Sequence, residues 1–151
     1  MASKSNVLLL FTQMYPYGKE ETFLEDEIEI IKEKFDEVYI ITSSTDNNLR
    51  KTPNGLKVIR ISFNQLSYKN LVKIFFNKFY WVDLLSILKK NPLNLFSLGI
   101  QKTLIYSVLN STLLSENILD FINNRIDINK ANLFFYSYWI NDFALAFMNL
   151  K

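Results

Sequence analysis

The 151-residue sequence has no cysteine and no histidine. That excludes disulfides, zinc sites built on those residues, a thiol nucleophile and an imidazole base. Glycine is scarce as well, with three in the whole chain. Neither G-x-G-x-x-G nor G-x-x-x-x-G-K-[ST] occurs, so the usual glycine-rich phosphate cradles are missing. No apolar run approaches the roughly 20 residues of a membrane-spanning helix. The apolar stretch Val7–Phe11 is too short for a signal peptide, and the Gln13-Met14-Tyr15-Pro16 after it is no cleavage site. A cytoplasmic protein in a reducing compartment is expected from these absences.

What is present points to one folded domain. Hydrophobic residues make up 49% and aromatics 15%, too apolar for a disordered chain. The net charge of +2 conceals an asymmetry. Residues 1–63 carry eight basic and ten acidic side chains, whereas residues 64–115 carry six lysines and a single acid, Asp83. The basic excess therefore sits in the middle of the chain.

The first third alternates strand, helix and strand. Asn6–Phe11 is an apolar run of strand length, as expected for a parallel strand buried on both faces. Tyr15-Pro16-Tyr17-Gly18 makes a tight turn, since proline fixes φ and glycine permits φ > 0. Thr22 and Glu25 have the spacing of a capping box. Leu24, Ile28, Ile31 and Phe35 recur on one helical face. Acids crowd the first turns and lysines the last, as the helix dipole prefers. Glu37–Thr42 is a second strand. Ser43–Gly55 is a polar loop. Leu56–Ser62 is a third strand, placed near an edge by Lys57 and Arg60.

Helical spacing takes over from Leu66 to Lys90 and is broken by Asn91-Pro92. Leu95–Ser111 and Ser115–Arg125 read as two further helices, with Ser115 starting the second. Ala131–Tyr136 is a fourth strand, Ser137–Asp142 its exit loop, and Phe143–Leu150 a last helix. That helix is still apolar where the chain stops, so a longer protein is expected. The fold class is α/β: a Rossmann-like parallel sheet of order 3-2-1-4, with a helical insertion over about residues 64–127.

In such a sheet ligands bind at the carboxyl ends of the strands, where strand order reverses. Two loops are expected to meet there, Thr12–Thr22 and Ser137–Asp142. Their chemistry suits a polyhydroxylated ligand better than a phosphate. The carboxylates of Glu20, Glu21, Glu25, Asp26 and Glu27 would repel an anion at the helix start. The candidate binding residues are Tyr15, Tyr17, Gly18, Glu21, Thr22, Tyr138, Trp139 and Asn141. Each has a plainer alternative. Tyr15 to Gly18 can be a packed turn, Glu21 a dipole complement, Tyr138 and Trp139 core aromatics, and Asn141 or Asp142 a helix cap. No residue is a candidate catalyst or metal ligand.

YPYGKEETFLEDEIEII after a first strand, then FDEVYIIT, then FFYSYWINDFALA, resembles the N-terminal half of bacterial two-domain glycosyltransferases of the glycogen-synthase-like superfamily, glycosyl transferases group 1. The likeness covers roughly residues 6–42 and 131–151. It implies one half of a B-type fold, in which this domain binds the acceptor. A C-terminal domain absent from this chain would bind the nucleotide-sugar donor and supply paired glutamates. Transfer would retain anomeric configuration, without a metal or cofactor, in cell-surface polysaccharide synthesis. This piece alone would be inactive. Many relatives carry a Gly-Gly pair in the first loop and a histidine after the fourth strand; here Gly18-Lys19 and Tyr138-Trp139 stand in those regions.

The middle segment adds a second expectation. Phe75, Phe76, Phe79, Tyr80 and Trp81 lie among Lys69, Lys73, Lys78, Lys89 and Lys90. Aromatics among lysines suit an anionic membrane interface, and hence a peripheral protein with a glycan or lipid-linked acceptor. No nucleic-acid partner is expected, since the lysine cluster is modest. The rival class is a non-enzymatic Rossmann-like module for membrane or partner binding.

Overall fold

In the computed structural model, residues 4–61, 76, 78–90, 97–138 and 146 are described. They form β1 (Ser5–Thr12), α1 (Phe23–Lys34), β2 (Glu37–Thr42), β3 (Lys57–Arg60), α2 (Lys78–Lys90), α3 (Leu98–Arg125) and β4 (Ala131–Ser137). The four strands make one parallel sheet of order β3-β2-β1-β4, as expected from the sequence. The chain divides into two compact units. One comprises residues 1–62 and 117–140, the other residues 63–116 and 141–151.

In the first unit, β1 is central and its residues Val7 to Thr12 are all buried. Alternation along the strand sends Leu8 and Leu10 to one face and Leu9 and Phe11 to the other. On the first face, Leu8, Leu10, Val38 and Ile40 pack with Leu24 and Ile28 of α1, both fully buried. Each such side chain contributes about 2 kcal/mol by burial. Ile31 and Phe35 extend the same stripe. On the second face, Phe121 meets the Tyr39 ring edge-on at 5.2 Å, beside buried Ile118 and Ile122.

The edge strands differ. β3 is partly exposed, and Lys57 Nζ donates to Glu37 Oε2 at 2.6 Å and to the Tyr39 hydroxyl at 2.9 Å. Both charged groups are about half exposed, so the pair adds about 0.5 kcal/mol at most. β4 pairs with β1 but leaves Phe134, Phe135 and Tyr136 some two-fifths exposed.

Two local expectations are corrected. Thr22 precedes α1 with helical angles and no side-chain cap, so the capping box does not form. The Thr22 carbonyl accepts from Glu25 N at 3.0 Å, and the Glu25 carboxylate goes to Arg50. Nor does Ser115 start a helix. α3 runs unbroken for 28 residues, and within it the hydroxyls of Ser111, Thr112 and Ser115 donate to carbonyls three or four residues back rather than capping a new helix. In the second unit, Tyr80 and Leu84 of α2 pack with Leu104, Val108, Leu109 and Leu113 of α3. The expected final helix, Phe143–Leu150, lies outside the described residues except at residue 146. No described helix is long and apolar enough to cross a membrane.

Candidate functional site

The loop after β1 is built around one carboxylate. Three successive backbone N–H groups converge on Glu21: Gln13 N at 3.1 Å to Oε1, and Met14 N at 2.8 Å and Tyr15 N at 2.7 Å to Oε2. Glu21 is only 7% exposed and has φ 58°, a left-handed conformation that costs a non-glycine residue about 1 kcal/mol or more. Thr12 Oγ1 donates to the Tyr15 carbonyl, and Thr42 Oγ1 donates to the Gln13 carbonyl, which tie the loop to the ends of β1 and β2. Successive N–H groups at this turn are what a dinucleotide fold offers to a phosphate. Here the chain fills the nest with its own side chain. The assignment of Glu21 to a ligand is therefore corrected, since its carboxylate is spent on the loop backbone.

The polar loop of residues 43–56 folds against this turn. Tyr17 and Leu49 form an antiparallel bridge, Gly18 N donates to the Asn48 carbonyl at 3.1 Å, and Arg50 N donates to the Pro16 carbonyl at 2.9 Å. Gly18 has φ 66°, a conformation that strains any other residue, and a Cβ there would also press at 3.1 Å on the side-chain ends of Asp46 and Met14. Arg50 spans both loops and α1. Its Nη1 donates to Glu25 Oε1 at 2.6 Å, its Nη2 donates to the Glu20 carbonyl, and its guanidinium lies 5.1 Å from the Tyr15 ring centroid. Arg60 covers the Tyr17 ring at 3.8 Å and donates to Asn47 Oδ1 and the Asp46 carbonyl.

Between the loops lies a pocket of about 650 Å³. Gly18, Lys19 and Thr22 line it from the first loop, Glu25 from α1, and Asp46, Asn48, Leu49 and Arg50 from the second. It offers carboxylates that accept, an ammonium and a guanidinium that donate, an amide and a hydroxyl that do both, and one apolar wall. Among the described residues, no group of three or more metal-ligating side chains comes together.

The candidates named from sequence separate on this frame. Gly18 and Thr22 line the pocket. Tyr17 is held beneath Arg60. Tyr138 stacks on Phe23 at 4.2 Å, beside α1. Burial, with Glu27 nearby, raises its hydroxyl pKa. Trp139 and Asn141 lie outside the described residues. The pocket sits beside the β2–β3 loop, whereas the strand order predicts a site between the loops after β1 and β4. Lys19, Asp46, Asn48 and Arg50 were missed. The run Asp46-Asn47-Asn48 after a buried strand was the available signal, because every loop at the carboxyl edge is a candidate.

Tyr15 is corrected outright. It is fully buried in the α1 core, and among the described residues its hydroxyl has no hydrogen-bond partner. Burial raises its pKa, the Arg50 guanidinium partly offsets this, and Glu25 and Glu29 reinforce it. A raised folded pKa gives stability that is fully present below the unfolded value of about 10 and is lost as pH rises through the folded value. Tyr15→Phe should remove that alkaline loss and gain about 1 kcal/mol at neutral pH, since an orphaned hydroxyl is no longer buried. Urea unfolding of both proteins at neutral and alkaline pH measures this; a destabilised Phe variant would contradict it. Compared with protein-family models, curated proteins and solved structures, the chain shows no match.

Proposed function

We propose that this chain is the acceptor-binding domain of a retaining glycosyltransferase, taking a glycan or lipid-linked acceptor in the pocket beside Arg50. The observation that carries the reading is the combination at the carboxyl edge. The nest that would hold a phosphate is filled by Glu21, and the open space beside it is lined by mixed donors and acceptors. Sugar hydroxyls, which donate and accept at once, match that lining better than an anion does. The resemblance of the first loop and of the segment near residue 140 to group 1 glycosyltransferases supports the same reading.

In this proposal the domain works by positioning. Glu25 and Asp46 accept from acceptor hydroxyls, Lys19 and Asn48 donate, and the reacting hydroxyl is held toward a donor sugar bound by a second domain. The nucleotide-sugar contacts and the paired glutamates belong to that second domain. The enzyme would act at the cytoplasmic face of the membrane.

Titration calorimetry with soluble oligosaccharides tests the reading. Saturable binding is expected, and Asn48→Ala should weaken it roughly tenfold by removing a hydrogen-bonding side chain at a polar site. Asn48 is tied to the loop through its backbone, so the variant should stay folded. Absence of binding across the panel, or binding untouched by the substitution, would overturn it.

A further inference from the structure

Helix α2 is apolar on two faces. Tyr80 and Leu84 pack into the cluster with α3, while Trp81, Val82 and Leu85 are 45%, 59% and 61% exposed. The exposed residues follow one another at helical spacing, so they form a single stripe. Lys78 and Lys89 lie on the same stripe, one at each end, and both are exposed. The helix has 13 residues, about two-thirds of a bilayer span, so it is suited to lying along a surface. The segment around it, residues 64–115, has six lysines against the one acid Asp83.

We propose that the Trp81–Val82–Leu85 stripe of α2 docks onto an anionic lipid surface. The charge decides between occupants. Protein interfaces are depleted of lysine at their cores, whereas lysines bracketing an apolar stripe are what an anionic bilayer selects. Their alkyl stems run along the apolar face while the ammonium groups reach the headgroups. Tryptophan occupies the headgroup boundary, where one side of the ring is apolar and the other wet. Such a surface would hold the domain where a lipid-linked acceptor lies, yet the inference stands without the glycan reading. A domain that binds vesicles but no sugar would sink only the earlier proposal.

The experiment is co-sedimentation of the whole chain with vesicles of phosphatidylcholine alone, or of phosphatidylcholine with phosphatidylglycerol. Binding to the anionic vesicles at low salt is expected, falling several-fold as salt is raised to physiological strength. In a Trp139→Phe background, Trp81 is the only remaining tryptophan, and its emission should shift to the blue on binding. Leu85→Ser should weaken binding roughly tenfold. Lys78→Glu with Lys89→Glu should abolish the preference for anionic vesicles without touching the core face of α2. No sedimentation at low salt, equal binding to both vesicle types, or indifference to both substitutions would overturn the proposal. So would a stable dimer in sedimentation velocity that Leu85→Ser dissociates, which would assign the stripe to a second copy.

Discussion

Glu21→Ala should cost the domain about 4 kcal/mol, a large share of the 5–15 kcal/mol that holds a typical domain folded. The carboxylate accepts from three consecutive N–H groups at a site 7% exposed. Alanine leaves all three without that acceptor; the Tyr15 N–H is buried and those of Gln13 and Met14 are part-buried, and a buried donor abandoned in this way costs about 1–3 kcal/mol. Glutamine should cost about half as much. Its one carbonyl oxygen can serve Met14 and Tyr15, as Oε2 does now, but its amide would face the N–H of Gln13 donor to donor. Glycine separates the two parts of the effect. It relieves the left-handed backbone at φ 58°, by about 1 kcal/mol, while still emptying the nest. The glycine variant should then be stabilised by millimolar inorganic phosphate, which takes the place of the missing carboxylate, whereas the parent protein should not respond. Thermal melts with and without phosphate measure both. Equal stability of Glu21→Ala and the parent, or a phosphate response in the parent, would show that the nest is not held by this side chain.

Arg50→Ala should have the second largest effect, on both stability and binding. The side chain is 16% exposed and reaches three elements: the Glu25 carboxylate on α1, the Glu20 carbonyl before it, and the Tyr15 ring beneath. Losing these should cost about 2–3 kcal/mol, with the loop of residues 43–56 loosened from the turn it braces. If the pocket holds sugar, affinity should fall by more than tenfold, because both walls meet at this guanidinium. Arg50→Lys should restore little. A lysine can reach the carboxylate or the carbonyl but lacks the fixed fork that serves both. Urea unfolding gives the stability term. Calorimetry at a temperature where every variant is folded gives the affinity. An Arg50→Lys protein equal to the parent in both would contradict the bridging role.

The parts of this fold that were legible in the sequence are those set by hydrophobic pattern. The unbroken run from Val7 to Phe11 marked a strand buried on both faces, and the stripe Leu24–Ile28–Ile31–Phe35 marked the covering helix. Lys57 and Arg60 marked an edge. Those patterns are local and nearly free of alternatives. What failed depended on rivals for the same atom. Thr22 and Glu25 have the spacing of a reciprocal cap, but Arg50, far along the chain, claims the Glu25 carboxylate. Ser115 has the composition of a helix start, yet a serine hydroxyl can equally satisfy a carbonyl within a helix already formed. Tyr15 and Glu21 both look like ligand contacts in a polar turn. One proves to be core and the other the anchor of the turn, because the side chain that enters the nest is decided by backbone angles. The pocket itself joins residues 18–25 to residues 46–50, a tertiary pairing that spacing along the chain does not encode.

The most direct test is amide chemical-shift mapping of the isotope-labelled chain with two ligands in turn, a soluble oligosaccharide and a nucleoside diphosphate. Shifts from the sugar should concentrate at residues 18–22 and 46–50, and the nucleotide should leave the amides of Gln13, Met14 and Tyr15 unmoved. Nucleotide shifts at those three amides, with none from the sugar around Arg50, would contradict a filled nest beside a glycan pocket.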